Sequence, residues 1–249
     1  MKGVKLSIVT ACLNDLQGLQ KTCASIDQQR IKSFEHIIVA RNLSIADTKL
    51  IFKNKKIERK LILNKDKSLY NAMNIGLKLA CGSYIYFLNS GDYLNTNNFL
   101  KLLGKRMNVQ KCVGFKTIQS FGNDNYVRIP RISTKRTYNI AHQGFIAPIS
   151  KNKKLRIYFD EKKLVNSDAF WIKDCVNQYG VDFLMTKPLA VFNLGGVSNN
   201  PSSKTIMLYL QSKVFSQIPI EIIKFLFKKI FGITNLFRIL AFYRGYTKL

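Results

Sequence analysis

The sequence predicts an α/β fold, a mixed sheet flanked by helices, with amphipathic helices at its C-terminal end. Three observations carry this. Apolar runs of strand length alternate with helix-period segments through the first hundred residues, the pattern of parallel strands joined by crossover helices. The run Asp66–Asp92, DKSLYNAMNIGLKLACGSYIYFLNSGD, holds one such unit and ends on an acidic turn. From Lys204 onward the chain is apolar and basic together.

Val4 to Ala11 reads as a first buried strand, and Asn14-Asp15 opens a helix through Leu19, Thr22, Cys23 and Ile26. Phe34 to Val39 and Leu61 to Leu63 are further strands. In the acidic-ended run, Ala72, Met73, Gly76, Leu77, Leu79 and Ala80 keep the spacing of a core-facing helix, and Cys81-Gly82 ends it. Tyr84 to Leu88 is a continuous aromatic and branched run, as in a strand covered on both faces. Asp92 then stands just beyond the carboxyl end of that strand, where open α/β sheets bind ligands; a polar turn capping the next helix is the alternative.

The second half reads as more mixed. Phe99 to Met107 is a helix, and Cys112–Phe121 and Tyr126–Ile132 are two strands joined by the turn Gly122–Asn125. His142 to Ala147 reads as another strand and Asn166 to Tyr179 as another helix. Pro219 divides the C-terminal segment into two helices. In the second of these, Glu221, Lys224 and Lys228 share one face and Ile222, Ile223, Phe225, Leu226, Ile230 and Phe231 cover the rest. That arc suits a membrane interface, or else a helix docked on the core. The expected division is therefore residues 1–203 and 204–249.

The chain has 249 residues, 47% of them hydrophobic, enough for one large core. Its net charge is +26, with 15 basic against 3 acidic residues between 100 and 165 and 8 against 1 from 204 on. Such a field draws polyanions: nucleic acid, anionic membrane or phosphorylated molecules. No zinc-finger, RNA-recognition or helix-turn-helix pattern accompanies the charge, so nucleic acid is not the expected partner. Five cysteines, an odd number without a CxxC pair, argue for a reducing compartment and against a disulfide frame or structural zinc. No basic-apolar leader precedes Leu6, and no apolar stretch reaches the roughly 18 residues of a membrane span, so a cytoplasmic protein is expected.

Leu6–Thr10 (LSIVT), the Asp66–Asp92 run and Phe159–Lys173 (FDEKKLVNSDAFWIK) together resemble the family 2 glycosyltransferases with the GT-A fold. The likeness, over roughly residues 4 to 200, is to those that build bacterial surface polysaccharides such as O-antigen, capsule and exopolysaccharide. It implies an inverting transfer of one sugar from a nucleotide-sugar donor, UDP-linked in similar enzymes, to a lipid-linked saccharide acceptor. It further implies a divalent cation, Mn2+ or Mg2+, bridging the donor phosphates, and peripheral work at the inner face of the cell membrane. By this likeness Asp92 is the last acid of the metal motif and the metal ligand, with Ser90 where a first acid often stands. Asp168 matches the general base, for which capping of its helix is the competing role. His142 and Gln143 match a polar pair beside the diphosphate or acceptor, and Thr10, Asp66, Asn71 and Asn74 fall on the donor side.

Three positions depart from the pattern. Ala40 stands where an aspartate reads the base, with Arg41 beside it; Asn71 and Ser90 also replace acids. Those losses define a second class of function, a catalytically impaired relative that binds a membrane or a partner.

Overall fold

The computed structural model describes residues 6–31, 33–52, 57–65, 68–104, 110–132, 138–194, 201–213 and 215–249. In order these form β1 (Leu6–Leu13), α1 (Leu16–Asp27), β2 (Phe34–Arg41), α2 (Ile45–Ile51), β3 (Glu58–Leu63), α3 (Leu69–Leu79), β4 (Tyr84–Phe87), β5 (Tyr93–Leu94) and α4 (Phe99–Leu103). There follow β6 (Cys112–Phe115), β7 (Thr117–Phe121), β8 (Asp124–Arg128), β9 (Arg131–Ile132), β10 (Tyr138–Asn139), β11 (Phe145–Pro148), α5 (Ser167–Tyr179), β12 (Val181–Leu184) and β13 (Ala190–Asn193). The chain closes with α6 (Ser203–Gln211), α7 (Ile218–Tyr243) and β14 (Thr247–Lys248).

The main sheet runs β12-β6-β11-β4-β1-β2-β3, with β11 antiparallel to both neighbours and its other pairs parallel. β1 lies between β2 and β4, so the strand order reverses there and a crevice opens beyond the carboxyl ends of β1 and β4. β1 is buried on both faces. Val9 and Ala11 pack toward Met73 and Leu77 of α3 and Trp171 of α5, whereas Leu6 and Ile8 pack toward Phe99 and Leu103 of α4. This is the period of two expected of a covered strand.

A second sheet, β14-β8-β7-β13-β5, stands beside the first. It corrects the reading of Cys112–Phe121 as one strand: the chain leaves the large sheet after Phe115 and enters the small one at Thr117, with Lys116 O accepting from Leu189 N at 2.8 Å. The expected Tyr126–Ile132 strand likewise starts earlier, at Asp124, and breaks after Arg128, because Pro130 has no N–H for a ladder. Val4 and Met107, the outer ends of two expected elements, lie outside the described residues.

The C-terminal segment docks on this body along one face. Phe237 packs on Phe121 with ring centroids 4.3 Å apart, Arg238 pairs with Asp124 at 2.9 Å, and β14 extends the small sheet at β8. Pro219 sits in the first turn of α7, as its missing N–H favours. Gly232 interrupts the helix with φ 78°, a kink the sequence reading did not include.

Buried Arg156 ties the end of α3 to the chain entering α5. Its guanidinium donates to the carbonyls of Leu77 and Ala80, and Nε donates to Ser150 O at 2.8 Å. These are carbonyls a helix end leaves unpaired. Arg156→Ala is expected to lower the unfolding free energy by about 2–4 kcal/mol through stranded acceptors. Urea denaturation measures this, and a loss below about 1 kcal/mol would mean that water replaces the guanidinium.

Candidate active site

Beyond the carboxyl ends of β1 and β4 lies a cavity of about 880 Å³, lined among others by Asp15, Ser90, Asp92, His142, Gln143 and Asp168. Its first wall is the turn Asn89–Asp92. Asp92 N donates to Asn89 O at 3.0 Å, and Gly91 takes φ 90°, a value that side-chain-bearing residues rarely adopt. Thr22 of α1 holds the turn from beneath, donating to Asp92 O at 2.6 Å. The Ser90 hydroxyl lies 2.8 Å from Asp15 Oδ2 and 2.9 Å from Asp15 O. A carboxylate therefore stands beside the position where the sequence lacks an acid. Asp15 is also the N-cap of α1, accepting from Gly18 N at 2.9 Å.

Asp92 is 8% exposed, and its Oδ2 accepts from Gln143 Nε2 at 3.0 Å. Burial pushes its carboxyl up to about 6, against the pull of His142, the Gln143 hydrogen bond and Lys21.

The second wall is a 3-10 turn at His142–Gly144, where the sequence reading had a strand beginning. A Cβ on Gly144 would lie 2.6 Å from Phe115 O and 2.7 Å from Thr117 Cγ2, so glycine permits the chain to turn there. Tyr86 OH donates to Gln143 O at 2.8 Å and fixes the turn on β4. The turn aims His142 and Gln143 into one cavity; a strand would have sent them to opposite faces.

Asp168 enters from the first turn of α5. It is not the cap: Asn166 holds that place, with φ 62°. Its Oδ2 lies 3.1 Å from His142 Nδ1, and Oδ1 lies 3.4 Å from the Tyr70 hydroxyl. Asn89 Nδ2, a donor, is 3.2 Å from His142 Nε2. The network thereby assigns the proton of His142 to Nδ1, which donates to Asp168. Burial alone would raise the Asp168 carboxyl, but the His142 hydrogen bond, the Ala169 amide and Arg128 hold it below the ordinary carboxylate range. Trp171, one turn further along α5, positions this acid. Its ring stacks on Phe159 at 4.9 Å and meets Phe87 edge-on at 5.2 Å, and its indole N–H donates to Ile157 O at 2.9 Å.

Other sequence-selected residues go elsewhere. Thr10 is fully buried; its hydroxyl donates to Leu88 O at 2.8 Å and lies 2.9 Å from His36 Nε2, while Arg59 Nε donates to His36 Nδ1 at 3.0 Å. Burial, with the charge of Arg59, keeps His36 well below the ordinary histidine pKa. A donor contact through the Thr10 side chain is thus corrected to an interior tie between β1, β2 and the end of β4. Asn71 and Asn74 do not line the cavity either. Both donate to the Glu161 carboxylate, at 2.9 and 2.7 Å, and Asn74 also exchanges hydrogen bonds with the Phe159 backbone. They clasp the chain that leads into α5, because amide donors bind a carboxylate that an aspartate would repel. Asp66 lies outside the described residues. Sequence reasoning missed Tyr70, Arg128, and the C-terminal wall of Lys204, Tyr209, Lys224 and Arg244.

The chain matches glycosyl transferase family 2 over residues 7–172. No curated protein sequence matches it. Among solved structures, S. aureus TarS 1-349 in complex with UDP-GlcNAc superposes with a TM-score of 0.63 at 19% identity, covering 94% of this chain and 75% of that one. A second structure of S. aureus TarS gives 0.60 at 18% identity; this chain is covered to 93% and spans 44% of that one. The mannosyltransferase PcManGT from Pyrobaculum calidifontis, in complex with GDP-Man and Mn2+, gives 0.55 at 10% identity, covering 85% and 61%. These likenesses show the GT-A fold, and the family match spans two thirds of the sequence, so the chain is a glycosyltransferase belonging to family 2.

Proposed function

We propose that this glycosyltransferase moves one sugar, with inversion, from a UDP-linked donor to a lipid-linked saccharide in the building of a bacterial surface polysaccharide. The observation that carries the reading is Asp92 and Asp168 on two walls of one cavity, each held by its own polar partner. Inversion is a single displacement. The acceptor oxygen bonds to the anomeric carbon as that carbon's bond to the phosphate oxygen breaks; the nucleoside diphosphate leaves and the acceptor proton passes to Asp168. His142, donating to Asp168, fixes the carboxylate without taking the proton. The UDP assignment draws support from TarS, seen with UDP and UDP-GlcNAc.

A divalent cation fits the Asp92 wall. Among the described residues Asn89 Oδ1 is a buried acceptor without a hydrogen-bond partner, and Asp92 offers carboxylate oxygen, the hard ligands that Mg2+ and Mn2+ prefer. Among the described residues no cluster of three or more His, Cys, Asp or Glu stands ready as a cage. Asp92 with Asn89 would therefore hold the ion only together with donor phosphates. When bound, it neutralises charge on the departing diphosphate.

Calorimetry with a panel of uridine and guanosine nucleotide sugars, with and without Mn2+, tests the donor site. Metal-dependent binding of a uridine compound is expected; no binding by any compound would favour the impaired relative.

The outer face of α7 supports work at an anionic membrane. Among the described residues no helix is long and apolar enough to cross a membrane. Ile223, Leu226, Ile230 (72% exposed) and Phe231 nevertheless point outward, with Lys228 and Lys229 at their borders. Apolar insertion beside lysines is the arrangement that anionic headgroups attract. Replacing Ile223, Ile230 and Phe231 together by Ser is expected to reduce co-sedimentation with phosphatidylglycerol vesicles at least tenfold, leaving nucleotide affinity unchanged. Equal sedimentation of variant and parent would exclude this face as the anchor.

A further inference from the structure

The wall of the cavity contributed by the second sheet and the C-terminal helices is basic, carrying Arg128, Lys204, Lys224 and Arg244. Lys224 is already committed to Glu221, at 2.5 Å. Arg128 uses Nε on Asn139 Oδ1, at 2.9 Å, and its two terminal nitrogens have no hydrogen-bond partner among the described residues. The Arg244 guanidinium and the Lys204 ammonium have neither a hydrogen bond nor an ion pair there. Arg244 stands close enough to Arg128 for its charge to act on it, as does Asp168. Two guanidinium groups facing one cavity repel each other unless an anion joins them, and Asp168 is already shared by His142 and Tyr70. The planar forks of arginine suit the oxygens of a phosphate.

The side of the reaction follows from Asp168. A displacement with inversion brings the nucleophile in opposite the leaving diphosphate, so groups beside the base face the acceptor. His142 acts on both acids, but Arg128 acts on Asp168 and not on Asp92, whose own cation is Lys21. We propose that Arg128 and Arg244, with Lys204 at the rim, form a phosphate subsite for the acceptor, so that the molecule receiving the sugar is itself phosphorylated close to the hydroxyl that reacts. This placement rests on the reading of Asp168 as the base.

Calorimetric titration of the full chain with inorganic pyrophosphate tests the proposal. Affinity is expected to persist in Asp92→Asn and to fall at least tenfold in Arg128→Gln and in Arg244→Gln, while Mn2+-UDP binds Arg244→Gln as it binds the parent. Arg244 is exposed, so its variant remains informative if Arg128→Gln does not fold. Geranyl diphosphate and a bis-glycerol phosphodiester then separate the sources: preference for the first identifies a lipid diphosphate, and for the second a phosphodiester polymer. Pyrophosphate that does not bind, that binds Arg244→Gln undiminished, or that is lost only in Asp92→Asn would overturn the subsite. So would an equal loss of UDP affinity in Arg244→Gln, which would give the arginines to the donor. Failure of UDP to bind any form would instead remove the donor reading, leaving the loss in Arg244→Gln to stand for the subsite.

Discussion

Asp168→Asn is expected to lower the rate of transfer about 10³-fold, within the range that a positioned base contributes, while donor affinity stays within about twofold. Asparagine keeps the shape and can still accept from His142, so the cavity survives and only proton acceptance is lost. The pH profile provides a second reading. The His142 hydrogen bond and Arg128 hold the Asp168 carboxyl below the ordinary carboxylate range despite its burial, so it is ionised throughout neutral pH. The acid limb of kcat due to this group therefore lies below that range. By linkage, the stability it contributes is complete above its unfolded value and is lost as pH falls through the folded one. His142→Ala removes the hydrogen bond and should move the acid limb upward. Full turnover in Asp168→Asn, or an acid limb that ignores His142, would remove Asp168 from the reaction.

Much of this arrangement is legible in the sequence, and the illegible parts share a cause. The Asp66–Asp92 run declares itself because helix and strand periods follow each other within it, and both are local. The carboxyl end of β4 and the acid beyond it follow directly. The 3-10 turn at His142–Gly144 does not, because what bends it is the approach of Phe115 O to Gly144, a contact across the sheets. The break at Lys116 is equally silent: Cys112–Phe115 and Thr117–Phe121 have the same strand character but pair in different sheets. β12 and β13 went unread because four residues hold too little periodicity. Thr10, Asn71 and Asn74 have residue types that suit a donor contact, but hydroxyls and amides also tie a fold together. Only their partners His36 and Glu161, distant in sequence, decide between the two. Asp15 shows the converse: as the cap of α1 its role looked purely local, until the end of β4 brought Ser90 against it. Arg128 and Arg244 come to one cavity only through the packing that brings β14 back to β8, so no motif joins them.

Asp92→Asn is expected to abolish metal-dependent donor binding and, at the same time, to stabilise the fold at neutral pH. Burial raises the Asp92 carboxyl to about 6, from an unfolded value of about 3.9. An acid shifted in this direction costs the native state stability as pH rises from the lower value to the higher, at about 1.4 kcal/mol per unit. The whole cost, about 2–3 kcal/mol, is present at pH 7 and vanishes below pH ~4, where the group is protonated in both states. Asparagine never bears that charge and still accepts from Gln143. Denaturation midpoints of parent and variant should therefore coincide near pH 4 and separate toward pH 7, with the variant the more stable. A gap that does not depend on pH would mean that Asp92 is solvated as an ordinary carboxylate. The predicted gap would mean that the turn after β4 carries an acid against the interest of the fold. A group that destabilises the molecule holding it, at the rim of the cavity that also holds Asp168, would then have its reason in the charge it offers a cation, which in turn would offset the charge of a diphosphate.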